Sequence, residues 1–287
     1  MTLNLTVSIA APGNMGAAVG RRLVDHGVTV LTTLAGRSAD SVARAQAAGM
    51  TAVEPGRLLE AEFVLSILPP GQALAFAEQT VQWIAGRALK PVFVDCNAVS
   101  PDTVQAIGAV IARADIPFID ASIIGLPPKP EQPGPRFYAS GAEARRLERL
   151  IECGLDIRVL EGPLGAASAL KMCYAGINKG IAALAGAMIL AAERSGATAA
   201  LYQEMSESLP GLLTSLRRQV PEMLPKAYRW VAEMEEIAAF TGEAAPAHEV
   251  FVGFARLFEE IARDVAGEKR DSAVLKAFFE TPRQEPA

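Results

Sequence analysis

Leu5-Thr6-Val7-Ser8-Ile9-Ala10-Ala11-Pro12-Gly13-Asn14-Met15-Gly16, followed by the helix-forming run from Ala17 to His26, is the stretch that decides the fold. An apolar strand breaks there into a glycine-containing turn and then a helix. Such a turn suits a dinucleotide pyrophosphate, because its amides and the positive end of the helix face the anion. The spacing G-x-G-x-x-G is met in part. Ala11 stands at the first glycine position, while Gly13 and Gly16 stand where close phosphate approach and close helix–strand contact need a missing side chain. Pro12, Gly13, Asn14 and Met15 are therefore the first candidate cofactor contacts. Similar turns also serve purely structural ends, so the rest of the chain has to decide.

Outward from this turn, short apolar runs alternate with amphipathic ones. Strands are expected at 5–10, 28–34, 51–53, 63–68, 91–95, 117–122, 137–140 and 156–160. Helices are expected over 41–48, 71–84 and 100–114, the last opening with Ser100 as N-cap and Pro101 at the first helical position. This alternation implies an α/β Rossmann domain over residues 1–163, with a doubly wound, mostly parallel sheet and its ligands at the carboxyl ends of the strands. From about Gly165 the pattern becomes helical: 166–195, 197–209, 212–220, 226–240, 247–266 and 272–279. Residues 164–287 are thus expected to form an all-α domain that binds substrate and pairs two subunits, with a disordered tail from Thr281.

Composition narrows the class. At 287 residues the chain is long enough for two domains, and its net charge of −5 gives no footprint for nucleic acid. No signal peptide or clear membrane span stands out. The Ala-rich segment 177–192 reads as a tightly packed core helix. Cys96, Cys153 and Cys173 are too scattered for a disulfide framework or a metal site. A cytoplasmic protein acting on a small molecule, without metal, nucleic acid or membrane, is the expectation.

The second strand runs into Leu34-Ala35-Gly36-Arg37-Ser38. NAD-preferring sites place an acidic residue here for the ribose 2′-hydroxyl; a guanidinium and a hydroxyl suit a 2′-phosphate instead. Arg37 and Ser38 therefore favour NADP(H), against the plainer reading of a solvated arginine in a loop. Leu68-Pro69-Pro70-Gly71 ends the fourth strand, either as a wall for the cofactor or simply as a helix-start turn. Asn97, in Asp95-Cys96-Asn97-Ala98, sits where an amide can contact nicotinamide or substrate, and Asp95 reads as a local cap.

In the first long helix, Lys171, Tyr174 and Asn178 are spaced by three and four and share a face. Apolar neighbours around Lys171 are expected to lower its pKa towards the range useful for proton transfer. A lysine on a helix often merely snorkels. The polar face inside an Ala-rich helix favours the catalytic reading.

These segments together resemble the β-hydroxyacid dehydrogenase superfamily, which includes 3-hydroxyisobutyrate and 6-phosphogluconate dehydrogenases. Its members open with G-L-G-N-M-G, matched at four of six positions by Ala11 to Gly16. Their strand-end D-A-P-V-S-G-G aligns with Asp120-Ala121-Ser122-Ile123-Ile124-Gly125-Leu126, and their catalytic lysine with Lys171 in Lys171-Met172-Cys173-Tyr174-Ala175-Gly176-Ile177-Asn178-Lys179-Gly180. The segment 226–237 resembles a narrower, phosphogluconate-dehydrogenase-like branch whose helical domain has no assigned function. The resemblance implies hydride transfer to or from a small hydroxy acid, Lys171 as general acid–base with help from Tyr174, and Ser122, Gly125, Asn178 and Lys179 near substrate. It also implies a homodimer through the helical domain.

Departures from the family pattern are informative. The asparagine that follows the lysine in the family is Ala175, the proton-donating glutamate of phosphogluconate enzymes is Asn178, their phosphate-binding tyrosine is Lys179, and the substrate-segment serine is Ile124. These changes argue against 6-phosphogluconate as substrate. They leave two alternatives open: reduction of an imine, with Tyr174 as proton source, and a cofactor-binding protein without catalysis.

Overall fold

Strict burial of alternate and, in the centre, consecutive apolar residues turns the N-terminal runs into strands of one sheet. In the computed structural model, which describes residues 5–87, 90–129 and 131–280, the strands are β1 (Thr6–Ile9), β2 (Thr29–Thr32), β3 (Thr51–Ala52), β4 (Phe63–Ser66), β5 (Val92–Asp95), β6 (Phe118–Ile124), β7 (Arg136–Ser140) and β8 (Asp156–Val159). Their order is β3-β2-β1-β4-β5-β6-β7-β8. Pairing is parallel except between β6 and β7, so β7 and β8 run against the other six. Between β1 and β4 the order reverses direction, and the carboxyl ends there form the crevice in which such sheets take ligands.

Four helices cover this sheet: α1 (Asn14–Asp25), α2 (Ala39–Ala47), α3 (Ala73–Ile84) and α4 (Pro101–Ala112). One face packs Val7, Ile9, Phe63, Val94 and Ile119 with Val19 and Leu23 of α1. The other packs Val64 and Phe93 with Phe76 of α3 and Ile107 and Ile111 of α4. Ser100 caps α4 as its sequence position suggests, its Oγ accepting from Thr103 N at 3.2 Å. Gly16 is obligatory on steric grounds: a Cβ there would lie 2.2 Å from the Ala11 carbonyl oxygen.

Helices follow from residue 166: α5 (Ala166–Arg194), α6 (Thr198–Ser208), α7 (Pro210–Met223), α8 (Ala227–Thr241), α9 (Pro246–Ala266) and α10 (Arg270–Glu280). The compact units divide after Lys171, inside α5, rather than at the 163/164 boundary expected from the change of pattern. The second unit is built around Phe258, Phe278, Leu275, Met223 and Met234. Gly176 and Gly180 let the rings of Phe251 and Phe254 reach α5; a Cβ at either position would lie 3.1 Å from a ring carbon.

Two expectations need correction. Helix α7 is longer than 212–220 at both ends, because Pro210 occupies its first turn, where no amide bond is lost, and Pro221 sits within its last turn. The segment 177–192 is only half a core helix. Ala182, Ala183, Ile189 and Leu190 are buried, but Tyr174, Ile177, Ile181, Leu184 and Met188 form an exposed apolar stripe. By length and composition α5 is also long and apolar enough to cross a membrane, although well under half of that window is buried within the protein. The tail from Thr281 lies outside the described residues.

Candidate active site

The turn after β1 leads directly into α1, with Gly13 as N-cap in an extended conformation (φ −67°, ψ −178°) that any residue adopts. A Cβ at Gly13 would meet no atom within 4 Å. Neither strain nor packing therefore calls for glycine; the space it leaves lies at the positive end of α1, where a phosphate fits. Pro12 is buried, Gly13 and Met15 are partly buried, and Asn14 is exposed.

Beside this turn lies a second basic corner. Arg37 Nη2 reaches the Ala10 carbonyl at 3.5 Å, while its Nε is buried without a hydrogen-bond partner. Ser38 caps α2, accepting from Ser41 N at 3.4 Å. Arg44, which the sequence reading passed over, donates from Nε to the Pro12 carbonyl at 3.1 Å and from Nη2 to Ser41 Oγ at 2.9 Å. It joins the phosphate turn to the start of α2. Its signal was present in the sequence: on a helix, position 44 lies one turn beyond Ser41.

Across the crevice, Asn97 is almost wholly buried and its amide is fully engaged. Oδ1 accepts from Leu68 N at 2.6 Å, and Nδ2 donates to Ser66 Oγ at 2.8 Å and to Asp95 Oδ1. Its role is to fix the Leu68–Pro69 corner and the end of β5, rather than to offer a free amide to a ligand.

A row of polar residues crosses four strands. Ser66 pairs in register with Asp95, Asp95 with Asp120, and Asp120 with Ser140, all with no exposed surface. Asp120 anchors the start of α5. Its Oδ2 accepts from Ser140 Oγ at 2.9 Å and Ser168 N at 3.1 Å, and its Oδ1 from Ser168 Oγ at 2.7 Å. Ser140 Oγ in turn accepts from Ala167 N at 3.0 Å. Lys171 follows Ser168 by one helical turn on the same side and is partly buried. Burial holds its pKa below the usual lysine value, while Cys96, Asp95 and Asp120 pull it back up. Burial also pushes the Asp95 carboxyl up to about 7, against the hydrogen bond from Asn97, with the Asp120 charge pushing the same way as burial.

Of the expected substrate residues, Ser122 lies two positions along β6 from Asp120, fully buried with its hydroxyl unpartnered. Gly125 follows the end of β6 at φ +133°, with Pro135 3.0 Å from where a Cβ would stand. Tyr174 and Asn178 lie farther along α5 in the second unit, both exposed. Lys179 is engaged within that unit, ion-paired with Glu233 of α8 and 5.4 Å from the centre of the Trp230 ring. Asp95, Asp120, Ser140 and Ser168 were not singled out from sequence as a site. Acidic residues inside otherwise apolar strands were the available sign.

Because the Asp95 carboxyl holds a proton that the unfolded chain releases near pH 3.8, the stability it provides is lost as pH rises through about 7. Asp95→Asn, which keeps the shape and carries no charge, is expected to be the more stable protein at pH 8 by on the order of 2–4 kcal/mol. That advantage should shrink steadily towards pH 4. Urea unfolding at a series of pH values measures it.

Comparisons with known proteins agree with this geometry. Residues 7–151 match the NAD binding domain of 6-phosphogluconate dehydrogenase, and residues 192–261 match a domain of unknown function (DUF1932). Mitochondrial 3-hydroxyisobutyrate dehydrogenase of Drosophila melanogaster is 27% identical over 223 residues, covering 75% of this chain and 67% of that protein. A solved protein of unknown function, described as structurally similar to 3-hydroxyacid dehydrogenases, is 28% identical with a TM-score of 0.75, covering 91% of this chain and 98% of that one. Mycobacterium tuberculosis 3-hydroxyisobutyrate dehydrogenase, solved with L-serine, shares the fold at 19% identity and a TM-score of 0.69, covering 98% and 100% of the two chains. An imine reductase of Streptomyces aurantiacus shares it at 19% identity and a TM-score of 0.57, covering 95% and 99%. The chain belongs to the 6-phosphogluconate dehydrogenase-like family of NAD(P)-binding, β-hydroxyacid dehydrogenase-type proteins, in the branch that carries the helical domain of unknown function.

Proposed function

We propose that the protein is an NADP(H)-dependent oxidoreductase acting on the CH–OH/C=O group of a small hydroxy acid or related polar metabolite, with Lys171 as general acid–base. The observation that carries this reading is the fastening of Ser168 to Asp120, which fixes the phase of α5 and sets a partly buried amine beside the strand ends. The dinucleotide, when bound, accepts hydride in oxidation and supplies it in reduction. In oxidation the neutral Lys171 amine takes the hydroxyl proton. In reduction its ammonium returns a proton to the carbonyl oxygen. Depression of its pKa by burial makes both states accessible nearer neutrality. Tyr174 serves as an auxiliary donor, and Ser122, Gly125 and Asn178 take part in orienting the substrate. The hydroxy acid is supported by the names of the relatives, 3-hydroxyisobutyrate dehydrogenase above all.

Preference for NADP(H) is supported by Arg37 and Arg44 flanking Ser38 and Ser41 at the start of α2, with Arg37 rather than an acidic residue in the 33–38 loop that leaves β2. The homodimer is supported by the stripe Tyr174, Ile177, Ile181, Leu184 and Met188, whose spacing of three and four repeats as in packed helix pairs. A second copy of α5 covers such a stripe without lipid.

Lys171→Ala should lower turnover by roughly 10²–10⁴-fold while NADPH affinity, read by fluorescence titration, changes little. Equal loss of both would mean a structural lysine. If cyclic imines turn over while hydroxy acids do not, the reaction is C=N reduction with Tyr174 as the donor. Arg37→Asp should cost at least about tenfold in NADPH affinity and narrow the gap to NADH. Unchanged NADPH binding would remove the 2′-phosphate assignment. Ile177→Glu with Leu184→Glu should convert a dimer to a monomer in sedimentation, and a wild-type monomer at micromolar concentration would refute the pairing.

A further inference from the structure

One buried group has no place in the reaction just described. Asp95 has no exposed surface, and its Oδ1 accepts from Asn97 Nδ2, but its Oδ2 has no hydrogen-bond partner. Its register partner Asp120 differs: both Asp120 oxygens are taken up by Ser140 and Ser168. An interior acceptor without a donor is costly and rarely retained without a use.

What lies near that oxygen follows from the strand and helix register. Ser168 is seated on Asp120, and Asp120 sits beside Asp95 on the adjacent strand. Lys171 stands one turn beyond Ser168 on the same side of α5. The amine thus shares the interior with one carboxylate that is saturated and one that is not.

We propose that Asp95 is the positioning residue for Lys171, acting on it through charge across the polar row rather than through a bond: its unsaturated carboxylate sets the pH at which the amine gives up its proton. This rests on Lys171 being the acid–base group. The titratable groups that act on the Lys171 amine are Cys96 and Asp95, at the end of β5, and Asp120 on β6. Burial keeps the Cys96 thiol protonated, and Asp120 spends its charge on the start of α5. Asp95 is the member of the set whose charge changes near neutrality. Asn97 and Ser66, its other polar neighbours, do not titrate. The pair therefore behaves as one coupled site with two proton steps.

The test is competitive acylation of the full-length protein across pH, with the Lys171 peptide followed by mass spectrometry. It needs neither cofactor nor substrate. In the wild type the reactivity curve of Lys171 should show an inflection near pH 7, where Asp95 ionises, separate from the deprotonation of the amine itself. Asp95→Asn should abolish that inflection and move the amine midpoint down, giving about tenfold faster labelling below the midpoint. Ser66→Ala disturbs the same row without removing charge and should leave the midpoint in place. A wild-type curve without the inflection overturns the proposal even if no variant folds. So does an unmoved midpoint in Asp95→Asn, or an equal shift in Ser66→Ala. Should Lys171→Ala retain turnover while the coupling is present, the acid–base reading fails and the coupling stands.

Discussion

The buried polar network of the first unit hangs on the way Asp120 receives the start of α5. A carboxylate buried in a sheet is tolerable only where donors surround it. Here three arrive, two from Ser168 and one from Ser140. The positive end of the helix adds to them. In return the helix cannot rotate: Ser168 is pinned by both its amide and its hydroxyl, so the direction of each following side chain is set. The placement of Lys171 is a consequence of this anchor rather than of any bond made by the lysine.

The other half of the site obeys a different logic. Around the turn after β1, the protein spends side chains on its own backbone: Arg44 on the Pro12 carbonyl, Arg37 on that of Ala10, and Asn97 on the Leu68 amide. These contacts hold the loops that face a ligand in position beforehand, so that less ordering remains to be done on binding. Hydroxyacid dehydrogenases and imine reductases alike share this fold. Substrate choice is left to side chains that vary around it.

Much of the architecture was legible in the sequence because local and long-range demands coincide there. Among the described residues, eight strands and ten α-helices stand within a few residues of their expected places. Ser100 and Pro101 marked the start of α4 correctly because capping is a local matter. What escaped was set by partners far along the chain. Asp120 and Ser168 are separated by 48 residues, and neither shows alone that it belongs to a network. For Arg44 the sequence shows only the local half, Ser41 one turn earlier; its other acceptor, the Pro12 carbonyl, lies 32 residues away. The helix expected over 212–220 runs on through Pro221, which the last turn of α7 accommodates. The exposed stripe on α5 was hidden by composition: alanine and glycine signal close approach on one side and say nothing of the other.

The contact between Gly16 and Ala11 bears on how such turns are to be recognised elsewhere. The third glycine of the fingerprint is locked by the chain itself, since any side chain at 16 would strike the Ala11 carbonyl. Position 13 is free of that constraint, and position 11 carries alanine without disturbing the strand. Of the three fingerprint positions, one is thus enforced by architecture, one keeps glycine with open space beside it, and one is not glycine at all. A search that weights them equally will pass over chains like this. One that asks first for the third, and then for open space at the second, separates a turn that has the fold from a turn that still has a use for it.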